Sequence, residues 1–154
     1  MAFTIRRATP SDKHEWLRMR HGLWPEAPME YLALDLDDLL ADEDTAIFMA
    51  FNENGQPVGF IEVSLRSFAE GCETSPIGYI EAWFVGELVR GQNLGRDLVQ
   101  TAEQWAREKG CSEMASDTWL ENEASIAAHL RLGYHEADRL VHFVKKLSGA
   151  GDKG

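Results

Sequence analysis

The stretch Tyr79-Ile80-Glu81-Ala82-Trp83-Phe84-Val85, followed after three residues by Val89-Arg90-Gly91-Gln92-Asn93-Leu94-Gly95-Arg96, decides the fold. The first part sets aromatic and β-branched residues in alternation, the period of a strand. The second carries two glycines and a polar pair, and a helical pattern begins at Leu94. A strand, a glycine-bearing loop and a helix N-terminus together present backbone N–H groups to a phosphate. Arg90 and Arg96 flank that loop in an otherwise acidic chain. A glycine loop alone is equally an ordinary βα turn, so the rest of the chain must decide.

The 154 residues suffice for one domain with a real core, read as residues 3–147 with a flexible C-terminal tail at 148–154. The formal net charge of −11 argues against nucleic acid and anionic membrane surfaces, which call for a basic face. It suits a cationic partner, although acidity also simply favours solubility. No apolar run has the length of a membrane span and the first residues lack a signal-peptide core, so a cytoplasmic location is expected. Cys72 and Cys111 form neither a disulfide framework nor a metal pattern, and no metal is expected.

Outward from the central stretch, the pattern predicts a strand at 3–8 and a helix capped by Thr9-Pro10 that runs to Leu23. Trp24-Pro25 stops that helix. Trp24 is then a loop aromatic, either a core plug or one wall of a pocket. Residues 29–44 read as one amphipathic, strongly acidic helix. Strands at 46–52 and 57–65 flank Asn54-Gly55, a pair suited to a tight hairpin. A long loop follows at 66–76. After the helix at 94–109 come a strand at 113–117 and a helix opened by Glu121-Asn122 and stopped at Gly133. Two closing strands are expected at 134–138 and 140–147, giving a mixed α/β sheet with helices on both faces.

The fourth and fifth strands are joined through a helix and so run parallel. Ligands in open α/β sheets favour the C-terminal end of such strands, where the glycine loop and Asp117 lie. Glu81 is a carboxylate between Ile80 and Ala82. Buried there, it must be paired or used; on the solvent side of a half-exposed strand it needs neither.

From about Thr4 to Leu147 the chain resembles the GNAT superfamily of N-acetyltransferases. The loop Arg90-Gly91-Gln92-Asn93-Leu94-Gly95 matches that superfamily's pyrophosphate motif, and Asn122, Ser125, His129, Gly133 and Tyr134 match a later one. More narrowly it is similar to the aminoglycoside 6′-N-acetyltransferases. That likeness is carried by Leu23-Trp24-Pro25, Gly71-Cys72, Thr74-Ser75-Pro76, Glu81 with Phe84-Val85, Met114-Ala115-Ser116-Asp117 and Glu121-Asn122.

The resemblance implies a mostly antiparallel sheet of six to seven strands, splayed between strands 4 and 5. It implies acetyl transfer from acetyl-CoA to the 6′-amine of a cationic aminoglycoside, by direct attack in a ternary complex, conferring resistance. The backbone of Trp83, Phe84 and Val85 would pair with the pantetheine arm. Amides of Gly91, Gln92, Asn93, Leu94, Gly95 and Arg96 would hold the pyrophosphate, and Asn122 would reach the pantetheine end. Trp24, Phe68, Glu81, Asp117 and Asp138 would line the substrate pocket. Glu81 or Asp117 would accept the amine proton. His129 stands where many relatives carry a thiolate-protonating Tyr; it is either that acid or a packed side chain. Asn93 replaces the motif's middle glycine, and Phe68 replaces a Tyr. A homodimer is also implied. Two other readings stay open: a related enzyme acting on another polyamine or a protein N-terminus, and a non-catalytic acyl-CoA-binding module.

Overall fold

A computed structural model describes residues 2–148. Strands β1 (Thr4–Arg7), β2 (Thr45–Phe51), β3 (Pro57–Arg66), β4 (Ile77–Val85) and β5 (Met114–Ser116) form one sheet in the order β1-β2-β3-β4-β5. The first three pairings are antiparallel and β4–β5 is parallel. Helices α1 (Lys13–Leu23), α2 (Met29–Ala33) and α3 (Leu36–Ala41) belong to the β1–β2 connection, α4 (Leu94–Glu108) joins β4 to β5, and α5 (Glu123–Arg131) follows.

Helices cover both faces of the sheet, as the alternation in the strands requires. On one face Leu94, Leu98, Val99, Ala102 and Ala106 of α4 pack on Ala46, Ile61, Val63 and Ile80. On the other, Trp16 and Met19 of α1 and Leu36 of α3 pack on Ile47, Met49, Phe60 and Ala82. Gly78 lets α4 and β5 close on β4. A Cβ there would lie 2.4 Å from the Met114 sulfur and 2.7 Å from the Ala106 Cβ.

Three expectations are corrected, and a fourth lies almost wholly outside the described residues. The sheet has five strands among the described residues, not six or seven, because 134–148 forms no strand. A strand needs an edge to pair with, and Val141, Phe143, Val144 and Leu147 are instead exposed in their own chain. The expected tail at 148–154 lies, beyond Ser148, outside the described residues. The acidic helix breaks into α2 and α3 because Arg20 of α1 takes the Leu32 carbonyl at 2.8 Å and the Asp35 carboxylate at 2.8 Å. Finally, only Gly55 of the Asn54-Gly55 pair has positive φ (+76°). The Asn52 carboxamide accepts from the amides of Asn54 and Gln56, so the loop is longer than a two-residue turn.

Arg20 and Glu62 form a buried ion pair that also receives the Trp16 indole N–H at 2.8 Å. Burial works against the Arg20 charge, but the bonds to Glu62 and Asp35 outweigh it and its pKa is raised. This pair ties the α1–α2 elbow to β3.

Candidate active site

The site begins with an irregularity in β4. Glu62 of β3 faces Ala82 and Val63 faces Ile80, so Glu81 is skipped in the register. It is the extra residue of a β-bulge, a device that re-aims a side chain. Ile80 therefore packs with α4, whereas Ala82 packs with α1. Glu81 escapes both cores, its side chain 32% exposed. The buried mid-strand carboxylate that must be paired is Glu62, not Glu81.

β5 meets β4 only at Gly78, Tyr79 and Ile80, through Met114, Ala115 and Ser116. Beyond that point the two strands part, as expected. Among the described residues no strand covers the β5-side edge of 81–85. Those backbone groups that point away from β3 are available to an extended ligand, as in strand addition. The Val85 carbonyl already accepts from Arg90 Nε at 3.1 Å.

Carboxylates gather beside the gap. Glu81 accepts both Arg66 Nη2 at 2.7 Å and Nε at 2.9 Å, and the Ser64 hydroxyl as well. The Arg66 guanidinium lies 3.5 Å from the Tyr79 ring centroid. The Tyr79 hydroxyl donates to Asp117, directly after β5. Burial and then the bond to Asp117 push the Tyr79 pKa well up, so the phenol remains a donor. The Arg66 pKa is raised, chiefly by its bond to Glu81.

His129 of α5 closes the other side. Its Nδ1 lies 2.7 Å from the Ser125 carbonyl, which can only accept, so Nδ1 carries the proton. Nε2, 2.9 Å from the Ser116 hydroxyl, then accepts from it. The ring stands edge-on to Trp83 at 5.2 Å and to Tyr134 at 5.8 Å. His129 is thus both packed and hydrogen-bonded to the residue at which the strands part.

At the glycine loop, Gly91 has φ +83° and Asn93 has φ +68°, caps α4 and takes the left-handed conformation that Asn tolerates. The first amides of α4, at Leu94, Gly95 and Arg96, have no acceptor within the helix. The Trp83 indole donates to the Gly95 carbonyl at 3.2 Å, which pins this turn to β4. Asn122 caps α5, its carboxamide oxygen accepting from Ser125 at 3.0 Å, which leaves its NH₂ for a ligand.

Trp24 is both core plug and pocket wall, a half-buried side chain packed against the α1-side core and one wall of a cleft. It caps α1 and lines this cleft of about 790 Å³ with Glu26, Tyr31, Asp35 and Trp119. Phe68 is exposed on the 67–76 loop. The Glu113 carboxylate fastens that loop by accepting from the amides of Glu73 and Thr74 at 2.9 and 2.7 Å. Asp138 is exposed, and the hydrogen bond its carboxylate makes is with the Arg139 amide. Ala137 touches the same loop at Gly71, but no contact joins Asp138 to Glu81 or Asp117. Arg66, Ser64, Tyr79, Tyr31 and Trp119 were not legible as site residues. A lone arginine ending a strand opposite a mid-strand glutamate was the one available signal. Among the described residues no cluster of His, Cys, Asp or Glu could hold a metal, and both cysteines are free thiols.

Against this geometry, a family model for the GNAT acetyltransferases matches residues 13–134. A protein of Stenotrophomonas maltophilia named aminoglycoside N(6′)-acetyltransferase type 1 is 42% identical over 143 residues, covering 91% of each chain. Its namesake in Klebsiella aerogenes is 36% identical over 146 residues, 93% of this chain and 96% of its own. Among solved structures, AAC(6′)-Iy in complex with the bisubstrate analogue CoA-S-monomethyl-acetylneamine superposes with a TM-score of 0.89 at 31% identity. That match covers 96% of this chain and all of the other. AAC(6′)-Ih from Acinetobacter baumannii gives 0.87 at 32% identity, with the same coverage.

Proposed function

The chain belongs to the GNAT acetyltransferase family, and from that premise we propose that it moves the acetyl group of acetyl-CoA onto the 6′-amine of aminoglycosides. The observation that carries the reading is the parting of β4 from β5 beside Glu81 and Asp117. It provides an edge for an extended thiol carrier next to carboxylates for a polyamine. The residues fit acetyl-CoA. The first α4 amides have no acceptor within the helix, Asn93 enters that helix in the left-handed conformation, and a Cβ at Gly95 would lie a tight 3.2 Å from the Trp83 ring.

Acetyl-CoA supplies an activated acyl carbon. The backbone of Trp83, Phe84 and Val85 aligns its arm, amides from Gly91, Gln92, Asn93, Leu94, Gly95 and Arg96 hold its pyrophosphate, and Asn122 donates to the arm. Trp24 and Phe68 offer stacking faces, and Glu81, Asp117 and Asp138 attract the ammonium groups. The amine must shed a proton before it attacks directly, and Glu81 or Asp117 accepts it. The leaving thiolate takes the Ser116 hydroxyl proton, which an imidazolium at His129, protonated from solvent at Nε2, replaces, leaving the neutral Nδ1–H ring described above. The product amide no longer carries the ammonium charge, which is how the reaction would confer resistance.

A cytoplasmic location, where acetyl-CoA and free thiols are at home, belongs to this reading. No described helix is long and apolar enough to cross a membrane. So does a homodimer, supported by the exposed apolar run Leu140, Val141, Phe143, Val144 and Leu147, which a second copy would cover. Sedimentation at micromolar concentration should give twice the chain mass; a monomer would contradict that element alone. For the activity, thiol release from acetyl-CoA should begin when kanamycin or tobramycin is added, with the acetyl group on N6′ by NMR. No release with any aminoglycoside would remove the proposal. Release with peptide N-termini instead would favour the protein-acetylating alternative.

A further inference from the structure

Two Arg–Glu pairs join neighbouring elements, and they differ in one respect. Arg20 and Glu62 are sealed in the core, with side chains 6% and 4% exposed. Arg66 and Glu81 sit at the mouth of the site, 43% and 32% exposed. The first is locked by desolvation; the second is open to exchange with cations from solution.

Resting on the acetyltransferase reading above, we propose that Arg66 is a resident counter-cation, occupying Glu81 and competing there with the substrate ammonium. The geometry carries this. The guanidinium forks onto Glu81 at 2.7 and 2.9 Å, taking both carboxylate oxygens. It lies on the face of Tyr79, whose hydroxyl is bonded to Asp117. One planar cation therefore holds Glu81 beside Tyr79, the hydrogen-bond partner of Asp117, where a substrate amine has to enter. A lone ammonium, a point charge without the fork or the stacking plane, replaces it poorly. A substrate with several ammonium groups can satisfy Glu81 and Asp117 together while Arg66 swings into solvent. Selection for polycations then comes from a built-in rival as much as from attraction.

Arg66→Met keeps length and an apolar surface over Tyr79 but removes the charge. Calorimetry of the full chain with kanamycin should show Kd falling by roughly threefold or more, the order expected when an exposed ion pair no longer has to be broken. In steady state KM should fall by more than kcat changes. Weaker or equal binding would overturn the proposal, since it would make Arg66 a positioner of Glu81. Independently of any substitution, the Arg66 Nε–H signal of the parent in ¹⁵N spectra should lose its hydrogen-bonded shift as kanamycin is added. A signal that stays fixed through saturation would overturn the proposal too. If the parent binds kanamycin but never releases thiol, the acetyltransferase reading fails while the competition at Glu81 is still read by both measurements.

Discussion

Asp117→Asn is expected to lower kcat/KM for cationic aminoglycosides by ~10²-fold, about 2.7 kcal/mol of transition-state stabilisation. Asp117 follows the last residue of β5, where the strand has just parted from β4, and it accepts the Tyr79 hydroxyl. The amide keeps the shape of the side chain and can still accept from Tyr79. What it loses is the charge that draws an ammonium and the basicity that can take its proton. The effect should fall on kcat as well as KM if Asp117 is the acceptor, and mainly on KM if it only holds the substrate. Steady-state kinetics on a variant with a parental melting temperature checks this. Unchanged kinetics would make Asp117 a structural partner of Tyr79.

Arg20→Met should be the most damaging single change to the fold. It strands the Glu62 carboxylate, 3% exposed, with the Trp16 indole as its remaining donor. Breaking one side of a buried pair costs about 3–5 kcal/mol. At this chain length that lowers Tm by roughly 10 °C. It also frees Leu32 and Asp35, which Arg20 holds over the cleft, so KM for aminoglycosides should rise in the surviving enzyme. The double variant Arg20→Met with Glu62→Met removes both charges and should recover part of the lost stability, short of the parent by the cost of the Trp16 indole N–H left without its acceptor, while KM stays high. Calorimetric melting separates the cases. A single variant melting within 2 °C of the parent would mean the pair contributes nothing.

What the sequence revealed and what it hid divide along physical lines. Local signals carried through: Asn93, a residue suited to a left-handed turn, takes φ +68°. The glycines after α4 and α5 stop those helices at positive φ. The parallel β4–α4–β5 unit followed from connection length alone. Signals that depend on partners did not carry. Nothing in Ile80-Glu81-Ala82 marks Glu81 as the extra residue of a bulge, because the skip is defined by the register of β3. One slipped residue sent Ile80 and Ala82 to opposite cores. The alternating run at 140–147 has strand character, yet in one chain it finds no edge. The acidic helix broke because of an arginine on α1, a residue distant in sequence from the break.

Everything functional depends on the uncovered edge of β4 receiving the arm of acetyl-CoA. Amide hydrogen exchange of the full chain, with and without saturating CoA, tests this most directly. Exchange should slow at the amides of residues 82–85 that point away from β3, and together with them at 91–96 of the loop and first turn of α4, while the β2–β3 hairpin is unaffected. Protection at 91–96 with none at 82–85, or none at either, would contradict the account.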